Sequence, residues 1–386
     1  MSDGFELRKF VAPEFVFGVG ARSLAGRYAK NLGGRKILVV SDPGVVAAGW
    51  TRDVIDSLVE AGLPFALFTG VSPNPKVDEI MTGVALYHAE RCNVLVAVGG
   101  GSSIDCAKGI GIVASNDRHI LLFEGVDMVR LPMPPLICVP TTGGTSADVS
   151  QFVIISNPLE KVKFAIISKS VVPDLALIDP ATLTTMDSYL TACTGLDALT
   201  HAIEAYVSTA RSAMTDLHAI EAIRLISSNL LPSIANLNDL ELRSNVMQGS
   251  LQAGLAFSNA ILGATHAMAH SLGGALDIAH GECNAILLDH VIAFNLPTAS
   301  ERFEHIAEAM GLDLRGKTSV QKKSALLNHI RELKSAAGVD RTLKELGVGR
   351  DDVKFLTDHA LKDPCMATNP RKASKRDIEV VYEESL

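Results

Sequence analysis

A change of hydrophobic period near the middle constrains this chain more than any other feature. Up to about residue 178, short β-branched apolar runs alternate with stretches of helical length. Residues 36–42, 65–68, 93–98 and 135–140 read as buried strands, whereas 77–89 and the stretch closing at 57–61 carry helical spacing. Buried strands separated by helices predict a parallel sheet covered on both faces. After Ile178-Asp179-Pro180 the strand-like runs stop. From about Ser188 a 3.6-residue period takes over, at 197–207, 213–229, 241–258, 300–310 and 326–337. The expected fold class is an α/β N-terminal domain with a parallel sheet (residues 1–186) followed by an all-α C-terminal domain (residues 187–386). A length of 386 residues exceeds the usual size of one hydrophobic core and agrees with two domains.

Bulk charge excludes some functions. The formal net charge is -8, whereas a grip on nucleic acid or on an anionic membrane needs a basic face. The expectation is no nucleic-acid partner and no membrane partner. No apolar run reaches the roughly 18 residues of a membrane span, and the opening ten residues are too polar for a secretory signal. Cys92, Cys106, Cys138, Cys193, Cys283 and Cys365 are scattered and form no CxxC pair. They read as reduced thiols packed as small hydrophobes in a cytoplasmic protein.

In the first half, Gly99-Gly100-Gly101-Ser102-Ser103 follows the strand at 93–98 and precedes a helix expected from about Ile104. Glycines at such a turn let backbone approach a phosphate, and the following helix offers N–H groups and the positive end of its dipole. The spacing is not GxGxxG, and the candidate ribose-binding acid, Asp42, precedes the glycines by more than fifty positions. This points to a variant Rossmann-like dinucleotide fold. Asp42 suits either a ribose diol, with its charge favouring NAD over NADP, or a helix N-cap. Residues 140–146, rich in Thr and Gly, suit either phosphate and carboxamide contacts or capping. Asp105 and Lys108, one turn apart, read as a surface ion pair.

In the second half, Asp197 and His201 are four residues apart on one helix face, as are His266 and His270, and His280 follows ten residues after His270. Their flanks are small and apolar, so the rings are expected to be buried, where an unpaired imidazole is costly. Several histidines and an aspartate in one apolar domain point to a metal site of mixed carboxylate and imidazole ligands. Such a set suits Fe(II), Zn(II), Mn(II) or Co(II); the candidates are Asp197, His201, His266, His270 and His280, and the spacing leaves open whether one of them stands behind the ligands.

With these motifs assembled, the chain resembles the iron-containing (group III) alcohol dehydrogenases, which include lactaldehyde reductase and 1,3-propanediol dehydrogenase types. The resemblance runs nearly end to end. It covers residues 17–20, Asp42, Pro73-Asn74-Pro75, Gly99 to Ser102 with Asp105 and Lys108, residues 140–147 and 194–204, His266 to His270, His280-Gly281, and Asn369-Pro370-Arg371. It implies Asp197, His201, His266 and His280 as metal ligands, with Fe(II) or another divalent ion such as Zn(II), and His270 as a catalytic histidine outside the ligand set. It implies contacts to NAD at Asp42, Asn74, Gly99, Gly100, Gly101, Ser102, Thr141, Thr142, Thr145 and Lys163. Leu183 would lie near the nicotinamide and Phe257 in the substrate pocket. The implied reaction interconverts a small primary alcohol or diol with its aldehyde by metal-assisted hydride transfer, in a homodimer or higher homo-oligomer. Competing readings are a glycerol-dehydrogenase-like or dehydroquinate-synthase-like enzyme, or an assembly-forming relative without catalysis. The apolar flanks of Asp197 and His266 favour a small neutral substrate over the phosphorylated acid of a cyclase.

Overall fold

The computed structural model describes residues 7–276 and 278–386. The chain divides into two compact units: Val11–Thr185, and residues 7–10 together with Met186–Leu386.

The first unit follows the alternation of its sequence. Strands β1 (Glu14–Phe17), β2 (Ile37–Ser41), β3 (Phe65–Phe68), β4 (Val94–Gly99), β5 (Gly125–Val126), β6 (Leu136–Pro140), β7 (Phe152–Asn157), β8 (Val162–Ile167) and β9 (Leu175–Ile178) are interleaved with helices. These are α1 (Ala25–Asn31), α2 (Pro43–Ala48), α3 (Trp50–Glu60), α4 (Val77–Ala89) and α5 (Gly101–Asn116). Six strands form one sheet in the order β1-β9-β6-β4-β2-β3, with every pairing parallel. Side chains alternate between its faces. Leu38, Val40, Leu95, Ala97, Leu136 and Cys138 join Ile80 and Val84 of α4 and Ile104 and Ile110 of α5. Their neighbours Ile37, Val39, Val94, Val96, Ile137 and Val139 join Ala25 and Ala29 of α1 and Val54 and Leu58 of α3. Burial on both faces is why these strands read as unbroken apolar runs.

One element was not anticipated, and one expectation needs correction. β7 and β8 form an antiparallel hairpin, with β5 parallel to β8, in a separate three-stranded sheet. Asp105 and Lys108 are not a surface ion pair: Lys108 is fully buried and Asp105 nearly so. The Lys108 ammonium donates to the carbonyls of Ser150 (2.8 Å) and Phe152 (2.9 Å). The Asp105 carboxylate accepts from the Ile154 N–H at 3.2 Å. Backbone groups at the start of the hairpin need partners away from water, and α5 supplies both a donor and an acceptor. Burial pushes the Asp105 carboxyl up to about 7 and the Lys108 ammonium down, each only partly opposed by the charge of the other.

Among its described residues the second unit has no strand. Its helices are α6 (Ser188–Val207), α7 (Ala213–Ala235), α8 (Leu240–Ala260), α9 (Ala264–Leu276), α10 (His280–Ala309), α11 (Ser319–Ala336), α12 (Val353–Ala360) and α13 (Lys375–Glu384). Asp187 caps α6 by accepting from the Leu190 N–H at 2.7 Å. α10 kinks at Ala299, two residues after Pro297. One core gathers Met268 and Leu272 of α9, Ile286 and Val291 of α10, Leu356 of α12 and Tyr382 of α13. No described helix is long and apolar enough to cross a membrane.

Candidate functional site

Three helices of the second unit each contribute a pair of polar residues four positions apart: Asp197 and His201 from α6, His266 and His270 from α9, and His280 and Asn284 from α10. One ligand atom each from Asp197, His201, His266 and His280 lies within 4.8 Å of the others. The Asp197 Oδ1 is 3.9 Å from His201 Nε2, 3.7 Å from His266 Nε2 and 3.8 Å from His280 Nε2. Bonds of about 2.0–2.2 Å to a tetrahedral centre would set such separations at roughly 3.3–3.6 Å, so a small contraction fits a divalent ion. The donor set, one carboxylate oxygen and three imidazole nitrogens without sulfur, suits Fe(II) or Zn(II). Burial opposes ionisation of Asp197, but the imidazoles of His201, His280 and His266 overcome it and hold the carboxyl far below its usual range. Burial likewise opposes charge on His266, and the carboxylates of Asp197 and Glu204 raise that ring to about 9.

Sequence reasoning missed the residues that orient these rings. The Glu204 Oε2 meets His266 Nδ1 at 2.5 Å, and its Oε1 accepts from the Thr265 N–H at 2.7 Å. A carboxylate on the far nitrogen fixes the ring so that Nε2 faces the other ligands. The signal was present, because Glu204 lies three residues after His201 on the same apolar helix. Asp363 meets His270 Nδ1 at 2.8 Å from 93 residues away, and no local pattern announces it. His270 stands outside the four-residue cluster, with its ring parallel to that of His280 at 5.2 Å between centroids. Phe257 stacks on His201 at 4.3 Å.

In the first unit, most residues expected at a nucleotide come together around the start of α5. That helix begins at Gly101 rather than near Ile104, with Gly100 as its N-cap residue in extended conformation, and no side chain caps it. A Cβ at Gly99 would lie 2.4 Å from Ser103 Oγ, and one at Gly101 would lie 2.8 Å from the Thr145 side chain. Thr142 lies against Gly100, and the Thr141 N–H donates to the Gly99 carbonyl at 3.0 Å. Asn74, in the left-handed region at φ 60°, donates from its N–H to Ser102 Oγ and accepts from Lys163 Nζ at 2.7 Å. Asp42 is an N-cap: its Oδ1 accepts from the N–H groups of Gly44 and Val45. Its other oxygen accepts from Ser103 Oγ at 3.0 Å, so the cap also stands beside the glycine turn. Leu183 is buried in the turn Pro180–Thr185 and is not part of these contacts.

Comparison with known proteins agrees with both halves. Residues 12–180 match the iron-containing alcohol dehydrogenase family, and residues 191–386 match the C-terminal part of the Fe-containing alcohol dehydrogenase family. A 1,3-propanediol dehydrogenase of Klebsiella pneumoniae is 40% identical over 371 residues, covering 96% of each chain. An NAD-dependent methanol dehydrogenase of Bacillus methanolicus is 36% identical over 377 residues, covering 98% of this chain and 99% of the relative. A solved 1,3-propanediol oxidoreductase superposes with a TM-score of 0.96 at 38% identity, covering 99% of this chain and all of the other. The chain belongs to the iron-containing alcohol dehydrogenase family. It is an oxidoreductase of the metal-containing, NAD-linked alcohol dehydrogenase class.

The meeting of α6 and α10 at this site depends on Gly281. A Cβ there would lie 2.4 Å from the Cys193 carbonyl oxygen and 3.4 Å from Asp197 Cβ. Gly281→Ala therefore has to move one helix off the other, and the unfolding free energy should fall by about 1–3 kcal/mol. Denaturant titration measures this, and unchanged stability would mean that the helices do not need so close an approach.

Proposed function

We propose that Asp197, His201, His266 and His280 hold a divalent iron, and that with NAD this centre interconverts a small, neutral primary alcohol or diol and its aldehyde. The observation that carries the reading is the convergence of four buried or half-buried ligand atoms from three helices within 4.8 Å. Zn(II) satisfies the same donor set and is the alternative ion. When bound, the metal lowers the pKa of a coordinated hydroxyl or polarises the aldehyde, and NAD accepts or returns the hydride.

The chain's own residues supply geometry and surroundings. Glu204 holds the ring of His266, and Phe257, stacked on His201, lines an apolar substrate pocket that keeps water out. His270, its Nδ1–H engaged by Asp363, offers Nε2 to the proton that the alcohol gives up. Backbone N–H groups from Gly99, Gly100, Gly101 and Ser102 at the start of α5 receive the pyrophosphate, with help from Thr141, Thr142 and Thr145. Asn74 and Lys163, already bonded to each other, flank them. The Asp42 carboxylate accepts from the adenosine ribose and disfavours a 2′-phosphate, and Leu183 packs near the nicotinamide. Relatives named for 1,3-propanediol and methanol support a small primary alcohol. Six buried free thiols support a reducing, cytoplasmic setting. The family resemblance supports a homodimer or larger homo-oligomer.

His266→Ala should abolish metal retention and turnover together, read by metal analysis of the purified protein alongside an assay with NAD and a chain-length series of primary alcohols and diols. Full turnover with metal retained would remove His266 from the ligand set. Asp42→Gly should shift the ratio of kcat/KM values toward NADP. Glycine at an N-cap costs only a few tenths of a kcal/mol, so the fold should survive, and an unchanged ratio would reject the ribose role.

A further inference from the structure

We propose that Asn284 is a positioning residue of the metal centre: its carboxamide N–H holds the Asp197 oxygen that faces the three imidazoles. Asn284 is fully buried one helical turn after His280. Its Nδ2 lies 2.7 Å from Asp197 Oδ1 and 3.1 Å from both His266 Nε2 and His280 Nε2. The amide thus stands beside three of the four candidate ligand atoms. Its orientation follows from electrostatics, because exchanging oxygen for nitrogen would set the amide oxygen against an ionised carboxylate oxygen. The amide oxygen accepts no hydrogen bond among the described residues. Burying an acceptor in this way is costly, and the cost is tolerated where the same group does something else.

The two amide hydrogens have Asp197 Oδ1 and two imidazole nitrogens within reach. Asp197 Oδ1 is the closest and carries charge, and charge-assisted hydrogen bonds are the stronger kind. A cation would engage the Nε2 lone pairs of His266 and His280, leaving them no acceptor capacity. A carboxylate oxygen retains a second lone pair, so the bond from Asn284 to Asp197 can persist with the cation in place. It would stop rotation of the carboxylate and direct its remaining lone pair toward the imidazoles. Outer groups that orient a ligand in this way are typically worth 10–100-fold in metal affinity.

This inference rests on the reading of Asp197, His201, His266 and His280 as ligands, and the experiment separates the two. Wild type, Asn284→Leu, Asn284→Ser and His266→Ala are stripped of metal with a chelator and titrated with Co(II). Affinity is read by chelator competition, and the ligand field by the visible d–d spectrum. Asn284→Leu keeps the volume and removes the donor. It should bind Co(II) about 10–100-fold more weakly, with an altered d–d band, so that Co(II) raises its melting temperature less than it raises that of wild type. Asn284→Ser, which retains a donor, should recover part of the affinity. It also serves alone, judged against wild type, if the leucine variant does not fold. Co(II) affinity and spectrum equal to wild type in both variants would overturn the proposal while leaving the ligand set intact. A loss of stability that is the same with and without Co(II) would assign Asn284 to packing and overturn it too. His266→Ala binding as tightly as wild type would instead defeat the underlying ligand reading.

Discussion

A buried carboxylate ringed by imidazoles is the constraint on which the second unit depends. Asp197 is almost fully buried, and an isolated ionised carboxylate there would be strongly unfavourable. It remains ionised because His201, His266 and His280 surround it, and those rings tolerate one another's closeness because the carboxylate lies between them. Glu204 extends the arrangement outward by fixing His266 and accepting from the first turn of α9. Helix placement and site electrostatics are therefore one problem. α6, α9 and α10 must approach closely for the charges to compensate, and the small residues along them permit that approach.

The first unit solves a different problem, the close approach of backbone to backbone. The glycine turn at the end of β4 leaves no room for a Cβ because Ser103, Thr142 and Thr145 occupy the space around it. Asp42 contributes twice, closing the first turn of α2 and receiving the hydroxyl of Ser103. The two readings of that residue drawn from sequence were a cap and a ligand for a ribose. They are compatible, because the cap uses only one of its carboxylate oxygens.

Much of this was legible in the sequence, for physical reasons. Strands buried on both faces are continuous apolar runs, so β2, β3, β4 and β6 stand out, and α4 falls on the residues its periodicity marks. Residues with four-residue spacing share a helix face, which made Asp197 with His201 and His266 with His270 visible as pairs. Most of what escaped depends on contacts between distant segments. The hairpin of β7 and β8 was overlooked although Asn157-Pro158 marks a turn between two β-rich runs; what the sequence could not show is that α5 supplies partners to the start of β7. Lys108 looked like an ordinary solvated charge, and only the tertiary structure shows backbone carbonyls awaiting its ammonium. Asp363 could not be assigned to His270 by any local rule, and Asn284 hid in an apolar stretch as an ordinary amide.

The hairpin has one further consequence. Lys163 lies on β8 paired with Ser156 of β7, and it reaches Asn74 only because that pairing points its side chain to the proper face. Successive residues of a strand face opposite ways, so a slip of a single residue would turn Lys163 to the other side of the sheet. Lys108 and Asp105 guard against this by gripping the backbone at Ser150, Phe152 and Ile154, before and within the start of β7. An insertion or deletion between the anchored stem and Lys163 that shifts the register would therefore misdirect the lysine while leaving every residue type in place.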